Sequence, residues 1–382
     1  MSAAPPLAPP SRLLCGPGPG NVAPSVLAAM QRPMMSHLDP DIVPILDEIV
    51  SMLRAVYRRS DGLTLPLQAT GTAGIEAGLE ALAEPGDTVI VGAAGFFGRR
   101  LAEIARRHGL DVVEVTAPFG EHVPNERLLD ALAQHPEARL LCVVHAETST
   151  GVRHPLAELA AELSGRDTLL FADCVTSLGG IELEPELWGV DYCCSCTQKC
   201  VGAPPGLAPV SLSERALERV RSRRQPTSFC FDFELLARYW VERPPAYHHT
   251  APILQLWALH EALRLVLEEG LEERWRRHRE AGDYFQAEVR SRGLELLAEQ
   301  GSELPQLTAI RVPDGVDGRA AQLSLLREHG IEVGGGLGPD FPPIWRVGLM
   351  GVNATVETAD RVLEALDAVL VDVPVGARVT AS

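Results

Sequence analysis

The sequence predicts an α/β protein, in which a large domain is built on a mostly parallel sheet and a smaller α+β domain follows it. Two observations lead to this prediction. Between residues 63 and 213, short and nearly continuous apolar runs alternate with segments of helical periodicity. That alternation is typical of parallel strands that helices cover on both faces. From about residue 250 the pattern changes to a long helical stretch, followed by a mixture of strand-like and helical segments.

Seven apolar runs are predicted to be the strands of the large sheet. They lie at 63–69, 88–94, 110–117, 139–147, 167–174, 190–196 and 207–213. Helical spacing of apolar residues occurs between them at 72–83, 97–109, 126–134 and 155–165. Turn residues separate these elements, as in Glu84-Pro85-Gly86-Asp87, and Gly109 marks the end of a helix.

The C-terminal third begins with helical periodicity over 253–293, with a weak point at Gly270, and we expect one long connecting helix. Strand-like pieces at 307–313 and 331–335 then flank a helix, and a last helix is predicted over 356–370. Residues 1–12 and 373–382 are expected to be loose ends. The expected division is an N-terminal arm over 1–20, a large domain over 21–265 and a small domain over 266–382.

Composition excludes several classes of function. The 382 residues carry a net charge of −17, with a pI near 5.1, so we expect no binding to nucleic acid or to anionic membranes. No apolar run approaches the ~20 residues that span a bilayer. The N-terminus lacks the pattern of a secretory signal, and a cytoplasmic location is expected.

Eight cysteines are present, and four of them fall between Cys193 and Cys200. A disulfide framework is not expected in a long chain without an export signal. The cluster is open to two interpretations, a metal site or a buried strand in which cysteine acts as a small apolar residue. The spacing lacks paired C-x-x-C knuckles, so the second is favoured and no metal is expected.

Lys199 is the only lysine among the 34 Lys and Arg residues. A lysine can lose its proton and attack a carbonyl group, which an arginine cannot do. The isolated lysine therefore indicates a chemical role, although a surface position is the alternative.

Three features follow predicted strands, where ligands bind in parallel α/β sheets. Thr70, Gly71 and Thr72 open a helix and suit a phosphate group. Asp173 ends an apolar strand and needs a partner, which could be a metal, an arginine or a protonated ring nitrogen. Lys199 follows the next strand. Together these features indicate a site for pyridoxal 5'-phosphate, which needs a lysine for a Schiff base, an aspartate for its ring nitrogen and a site for its phosphate.

With these residues in place, the chain resembles the class V aminotransferases, which are fold type I pyridoxal-phosphate enzymes. The nearest branch is that of alanine–glyoxylate and serine–pyruvate aminotransferases. The resemblance runs from Leu14 to about Leu370. Its motifs are GPGPGNVAPSVLAAM, EPGDTVIVGAAGFFGRR, HAETSTGV, ADCVTSLGG, TQKC, YHHT, GGLGP and WRVGLMG.

The resemblance implies a role for each matching residue. Lys199 would be the Schiff-base lysine and the proton shuttle, and Asp173 the partner of the pyridine nitrogen. The other implied cofactor contacts are Thr70, Gly71, Thr72 and Gln198 at the phosphate, Phe97 stacked over the ring, Thr148 near O3′ and Val175 beneath the ring. Phe97 stands where the family often has tryptophan. Phenylalanine can stack on the cofactor ring but lacks the indole N–H group, so its contacts with the cofactor differ.

Further positions imply a homodimer with shared active sites. Tyr247 and Thr250 match residues that reach the cofactor phosphate of the neighbouring subunit. Arg346, in an apolar setting, matches the arginine that binds the substrate carboxylate. His37 either contacts the substrate or is a structural cap. His248 and His249 could bind a metal, but hydrogen bonding at the interface is favoured.

The implied activity is a ping-pong transfer of an amino group from L-alanine or L-serine to a 2-oxo acid, glyoxylate or pyruvate. Three alternatives remain open. The first is a ureidoglycine–glyoxylate aminotransferase, which Tyr247 and His37 disfavour because amide side chains are expected there. The second is a biosynthetic aminotransferase with a specialised donor. The third, from another class, is an inactive binding protein of the same fold, which the retained Lys199 disfavours.

Overall fold

The computed structural model describes residues 6–224, 226–338 and 340–370. The expected loose end over 373–382 and the first five residues of the expected arm lie outside the described residues. The elements of the described chain are numbered here in chain order.

The strands are β1 (Leu13–Leu14), β2 (Leu63–Leu67), β3 (Thr88–Ala93), β4 (Asp111–Thr116), β5 (Leu140–Val144), β6 (Ala146–Glu147), β7 (Val152–Arg153), β8 (Leu169–Asp173), β9 (Tyr192–Cys194), β10 (Ala208–Leu212), β11 (Leu307–Arg311), β12 (Ile331–Glu332), β13 (Gly334–Gly335) and β14 (Ile344–Gly348).

The α-helices are α1 (Pro24–Ala29), α2 (Val43–Tyr57), α3 (Gly71–Leu82), α4 (Phe96–Arg107), α5 (Asn125–Gln134), α6 (Leu156–Glu162), α7 (Pro185–Trp188), α8 (Glu214–Arg221), α9 (Phe233–Trp240), α10 (Ile253–Glu269), α11 (Leu271–Ser291), α12 (Gly318–Glu328) and α13 (Val356–Val369).

The predicted seven-stranded, mostly parallel sheet is confirmed. Its strand order is β2-β10-β9-β8-β5-β3-β4. The five strands from β9 to β4 are parallel, whereas β10 is antiparallel to both of its neighbours. All residues of β5 and β8 are buried, because helices cover both faces of the sheet. The carboxyl ends of β2, β3, β5, β8 and β9 therefore meet at one edge.

Register brings the ends of the central strands to the same level. Val144 pairs with Asp173 across β5 and β8, and Asp173 pairs with Cys194 across β8 and β9. The residues after β5, β8 and β9 thus leave the sheet side by side, and the site lies beyond them.

The smaller part of the chain has its own core. A three-stranded antiparallel sheet, in the order β11-β14-β13, packs with apolar residues of α11, α12 and α13. The sequence predicts only two of these strands. It misses β14, which carries Arg346 and follows two consecutive prolines, Pro342 and Pro343. The division into domains at residues 20 and 265 stays a prediction.

The prediction of a single long connecting helix was wrong. Gly270 has φ 84° and ψ 141°, which lies outside the helical region, so the stretch divides into α10 and α11. Glycine adopts a positive φ at little cost, and the break redirects the chain between the two cores. Among the described residues, no helix is long and apolar enough to cross a membrane.

Candidate active site

A cavity of ≈ 200 Å³ opens at the carboxyl edge of the large sheet. Loops that follow five strands contribute to its wall, as expected for a parallel sheet. The predicted site residues in the wall are Thr70, Gly71, Thr72, Phe97, Thr148, Asp173, Val175, Gln198 and Lys199. The structure thus brings together nine residues that span 130 positions of the sequence.

Lys199 is a half-buried residue in the wall of this cavity. Burial is the main cause that lowers the pKa of its amine, and the charge of Arg346 lowers it further, while Asp173 and nearby thiols oppose the shift. Lys199 Nζ donates a hydrogen bond to the carbonyl oxygen of Pro17. The environment therefore favours the neutral amine, which is the nucleophilic form.

The N-terminal arm passes directly over the lysine. The backbone of β1 pairs with β12, and Gly20 N–H donates to the carbonyl of Gln198 at 3.1 Å. Gly18 has φ +108°, and a Cβ atom there would lie 2.6 Å from Lys199 Nζ. The positive φ favours glycine at this position, and any Cβ there would displace the lysine side chain.

Asp173 is the second ionisable group in the cavity, and it is 3% exposed. One carboxylate oxygen accepts a hydrogen bond from Val175 N–H at 2.9 Å; the other accepts none from the described residues. Burial raises the pKa of Asp173 to about 6, with Glu147 adding to the rise and Arg100 and Lys199 opposing it. A protonated ring nitrogen beside the free oxygen would offset the cost of the buried charge.

This pKa gives a testable consequence in the cofactor-free protein. Because folding raises the pKa of Asp173 from 3.8 to about 6, its contribution to stability is greatest below pH 4 and is lost as pH rises through about 6. Between pH 5 and pH 8, we expect the wild type to lose roughly 1–2 kcal/mol of unfolding free energy relative to D173N. Urea unfolding of both proteins at the two pH values measures this difference, and a pH-independent difference would contradict it.

The predicted phosphate site lies at the N-terminus of α3. The Thr70 hydroxyl accepts a hydrogen bond from Ala73 N–H at 3.2 Å, while Gly71 and Thr72 supply unpaired first-turn N–H groups. A Cβ on Gly71 would lie 3.0 Å from Val175 Cγ2 and 3.3 Å from Cys196 Cβ. The close packing leaves the backbone N–H groups and the helix dipole facing the cavity, where they favour an anion.

Glu147 is a site residue that the sequence analysis did not single out. It is 1% exposed, and its Oε2 accepts hydrogen bonds from Phe97 N–H and Gly98 N–H at 3.1 Å each. Its Oε1 accepts from the hydroxyl of Ser149 at 2.5 Å. Burial raises the pKa of Glu147, and these hydrogen bonds oppose the rise. The carboxylate fixes the start of α4, which carries Phe97, against the segment that carries Thr148.

Arg100 is also part of the wall and was not predicted. It lies one helical turn after Phe97, and its guanidinium stands 4.6 Å from the centre of the Phe97 ring. Residues three apart on a helix share a face. The motif GFFGRR therefore contained the signal that Arg100 accompanies Phe97 into the cavity.

Arg346 is a buried cation to which no carboxylate of the described residues is paired. It is 4% exposed; Nε donates to the carbonyl of Gly335 at 2.7 Å and Nη1 to the carbonyl of Thr148 at 3.1 Å. It forms no ion pair within 4 Å among the described residues. Burial lowers its pKa to about 10, although Glu147 and Glu332 oppose the shift. Such a cation favours an anionic ligand, because an uncompensated buried charge is costly.

Four predicted residues are not part of the wall of this cavity: Arg346, which contacts the wall through its hydrogen bond to the carbonyl of Thr148, and Tyr247, Thr250 and His37. Tyr247 is 65% exposed, and its ring lies 5.5 Å from that of His37. Thr250 is exposed as well. Residues 247–250 also include His248 and His249, whose Nδ1 atoms are 2.7 Å apart. The roles of Tyr247 and Thr250, which need a second chain, and the role of His37, as a substrate contact or a structural cap, stay predictions.

The cysteine cluster packs inside the protein. Cys193, Cys194, Cys196 and Cys200 are buried free thiols. Burial raises the pKa of Cys200 to about 11 and that of Cys196 to about 12. Within the described ranges, no group of three or more His, Cys, Asp or Glu side chains is placed to hold a metal ion.

The chain is similar to known proteins over most of its length. A family model described as aminotransferase class-V matches residues 28–343. The alanine–glyoxylate aminotransferase of Rattus norvegicus is 40% identical over 365 residues, which are 94% of this chain and 88% of that protein. The crystal structure of alanine–glyoxylate aminotransferase from Nostoc sp. superposes with a TM-score of 0.92 at 46% identity, over 97% of this chain and 98% of that one.

A second structure superposes equally well, at lower sequence identity. The ureidoglycine–glyoxylate aminotransferase from Bacillus subtilis superposes with a TM-score of 0.93 at 35% identity, over 98% of this chain and 97% of that one. The two structural neighbours share the fold and differ in the amino donor that their names state.

Proposed function

Because the chain belongs to the class-V aminotransferases, a family that uses pyridoxal phosphate, we propose that it transfers an amino group from L-alanine or L-serine to glyoxylate or pyruvate in a ping-pong reaction. One observation carries the proposal. Arg346, a buried guanidinium with no ion pair among the described residues, donates a hydrogen bond to the carbonyl of Thr148, which lines the same cavity as Lys199. A substrate carboxylate at Arg346 would therefore hold the reacting carbon near the amine.

The residues of the cavity fit pyridoxal phosphate. Thr70, Gly71 and Thr72 offer N–H and hydroxyl groups for the phosphate, with Gln198 beside them. The free oxygen of Asp173 suits the ring nitrogen, and Phe97 and Val175 suit the two faces of the ring. When bound, the cofactor supplies an aldehyde that takes up the amino group and a ring that withdraws electrons from the substrate.

The protein groups then have separate tasks. Lys199, whose amine has a pKa lowered by burial, can accept the proton of the substrate α-carbon and return it on the other side of the reaction. Asp173 keeps a proton on the ring nitrogen, so the ring withdraws electrons effectively. Arg346 binds the α-carboxylate and orients the C–H bond towards Lys199. The arm above Lys199 helps to exclude water.

We further propose a homodimer whose two sites are shared. The exposed Tyr247 and Thr250 do not line the cavity of their own chain, which supports a position across the interface. In a dimer they would complete the phosphate site of the other chain, and His37, which contacts Tyr247, would lie near the substrate entrance.

The donor is tested by steady-state transamination of glyoxylate. We expect L-alanine and L-serine to give kcat/KM values at least about tenfold above that of (S)-ureidoglycine, because Tyr247 and His37 stand where the resemblance leads us to expect amide side chains for a ureido group, and a ureido group without such partners is costly to bury. The neighbour from Bacillus subtilis keeps ureidoglycine as the second candidate donor. A higher kcat/KM for (S)-ureidoglycine would replace the proposed donor while leaving the aminotransferase assignment unchanged.

A further inference from the structure

The two residues with the main tasks in the proposed reaction lie in different parts of the chain. Lys199 precedes Cys200 in the loop after β9, whereas Arg346 lies in β14 of the small sheet. The loops that follow these strands are in contact, because a Cβ atom on Gly351 would lie 3.6 Å from the carbonyl oxygen of Lys199 and 3.8 Å from that of Cys200. The reaction requires a fixed separation between the two side chains, since one binds the substrate carboxylate and the other accepts the α-proton.

Three charged side chains beside this contact form one hydrogen-bonded group, which we call the Glu269 cluster: Glu269, Arg274 and Arg277. Glu269 is the last residue of α10, and both arginines lie in the first two turns of α11. The break at Gly270 lets Glu269 face both of them. Its Oε2 accepts a hydrogen bond from Arg274 Nη1 at 2.6 Å, and its Oε1 accepts one from Arg277 Nε at 2.6 Å. In the described chain, the cluster lies outside the wall of the active-site cavity.

Arg274 connects the cluster to the loop that carries the lysine. It is 6% exposed. Its Nη2 donates to the carbonyl of Cys200 at 2.6 Å, and its Nε donates to the carbonyl of Gly179, in the segment after β8, at 3.0 Å. Burial lowers the pKa of Arg274, and the charge of Glu269 opposes the shift. All three guanidinium nitrogens are therefore bonded, and a buried polar network whose members are satisfied makes its surroundings rigid.

Arg277 and the adjacent His278 connect the cluster to the segment after β14. Arg277 Nη1 donates to the carbonyl of Gly351 at 2.9 Å and to that of Ala354 at 2.8 Å. His278 Nε2 accepts a hydrogen bond from Gly351 N–H at 3.1 Å, and its Nδ1 donates to the carbonyl of Arg274 at 2.8 Å. Burial lowers the pKa of His278 to about 3, so the ring is neutral and these two bonds use both of its nitrogens.

We infer that Glu269, Arg274 and Arg277 are positioning residues, which set the separation between Lys199 and Arg346. The inference rests on the proposed aminotransferase function and extends it to residues outside the cavity. Because one carboxylate binds both arginines, each arginine fixes its loop relative to the other loop. Removal of either arginine would let the lysine and the bound substrate carboxylate shift relative to each other. A shift of about 1 Å between reacting groups can cost about 10²-fold in rate.

The test follows the visible spectrum of the cofactor-loaded protein during its half-reaction with L-alanine or with ethylamine, which has no carboxylate for Arg346 to bind. R277M is the main variant, because the Arg277 side chain is 26% exposed and the pair of Glu269 with Arg274 remains. We expect the rate constant with L-alanine to fall about 10- to 100-fold and the rate constant with ethylamine to stay unchanged. General damage to the fold would lower both rate constants.

R276M is the matched control. Arg276 lies on the same helix, is exposed, and pairs with Glu273 and Glu280 of that helix, so R276M should keep both rate constants. R274M should act as R277M does, and the double variant should be no slower with L-alanine than the single variants, because either change breaks the same connection. R277K keeps the charge and should show the same selective loss to a smaller degree, so the comparison holds even where R277M does not fold.

Equal losses with both amines, or no loss with L-alanine, would overturn the inference and leave the proposed function in place. A wild type that releases no pyruvate from L-alanine would overturn the proposed function, and this inference with it. Crystal structures of the wild type and R277M give a readout that does not depend on activity. We expect the segment from Gly351 to Ala354 to move relative to Cys200 in the variant, and an unchanged position would contradict the inference.

Discussion

Replacing Lys199 by alanine is expected to lower kcat for alanine–glyoxylate transamination by at least about 10⁴-fold, the upper end of what a positioned proton-transfer group contributes. The side chain is the only lysine amine in the protein. It lies in the cavity with Asp173, and burial keeps its pKa low. Stopped-flow measurement of the reaction with L-alanine alone isolates the step in which the lysine moves a proton.

Because the protein has no other lysine, only Lys199 can form a Schiff base that borohydride reduces. Borohydride reduction followed by intact-mass measurement should fix one cofactor on the wild type and none on K199A. K199R keeps the positive charge but cannot act as a base near neutral pH, so it should be as inactive as K199A. A K199R protein with more than one hundredth of wild-type kcat would contradict the proposed role.

Replacing Arg346 by glutamine is expected to lower kcat/KM for L-alanine by about 10²–10³-fold. The loss corresponds to removing one partner of a buried, hydrogen-bonded charge pair, about 2–5 kcal/mol. R346K should lose less, because it keeps the charge and loses only the two-pronged geometry. Steady-state kinetics with L-alanine and glyoxylate measure both effects.

Comparison with an amine that lacks a carboxylate distinguishes loss of carboxylate binding from a general loss of enzyme activity. The wild type should strongly prefer L-alanine to ethylamine, whereas R346Q should have lost most of that preference. R311Q is the matched control, since Arg311 is on the adjacent strand β11 and is exposed. If R346Q still discriminated between the two amines as the wild type does, Arg346 would not bind the carboxylate.

Much of the large sheet could be predicted from the sequence, because its strands are apolar on both faces. The run 139–147 illustrates this: β5 and β6 both lie inside it, and the residues that follow reach the active site. The strand order β2-β10-β9-β8-β5-β3-β4 could not be predicted from local sequence patterns, because it depends on which strands pair across long crossovers. Similarly, Gly270 was recognisable as a weak point, but its non-helical backbone angles depend on how α10 and α11 pack.

Strand β14 shows a different limit. Its five residues Ile344–Gly348 are entirely buried, yet the run is short and follows consecutive prolines, so it lacks a strong strand pattern. Arg346 was identified by resemblance and by its apolar neighbours in the sequence, and its hydrogen bonds to the carbonyls of Gly335 and Thr148 came only from the structure. Glu147 was part of a quoted motif, but its importance depends on the helix terminus that reaches it from α4, which no local pattern reveals.

Tyr247 and Thr250 are exposed, and the ring of Tyr247 contacts that of the half-buried His37. The role expected of Tyr247 and Thr250 requires the surface of a second chain. Lys199 and Asp173, in contrast, line one cavity within a single chain, as the strand order demands.

The central claim is tested most directly by mixing the cofactor-loaded wild-type protein with excess L-alanine and no 2-oxo acid. We predict a change in the visible spectrum of the cofactor together with release of about one equivalent of pyruvate per active site, and reversal on addition of glyoxylate. A protein that binds pyridoxal phosphate at Lys199 but releases no 2-oxo acid from alanine or serine would contradict the proposed reaction. A protein that cannot be loaded with the cofactor at all would contradict the assignment of the site.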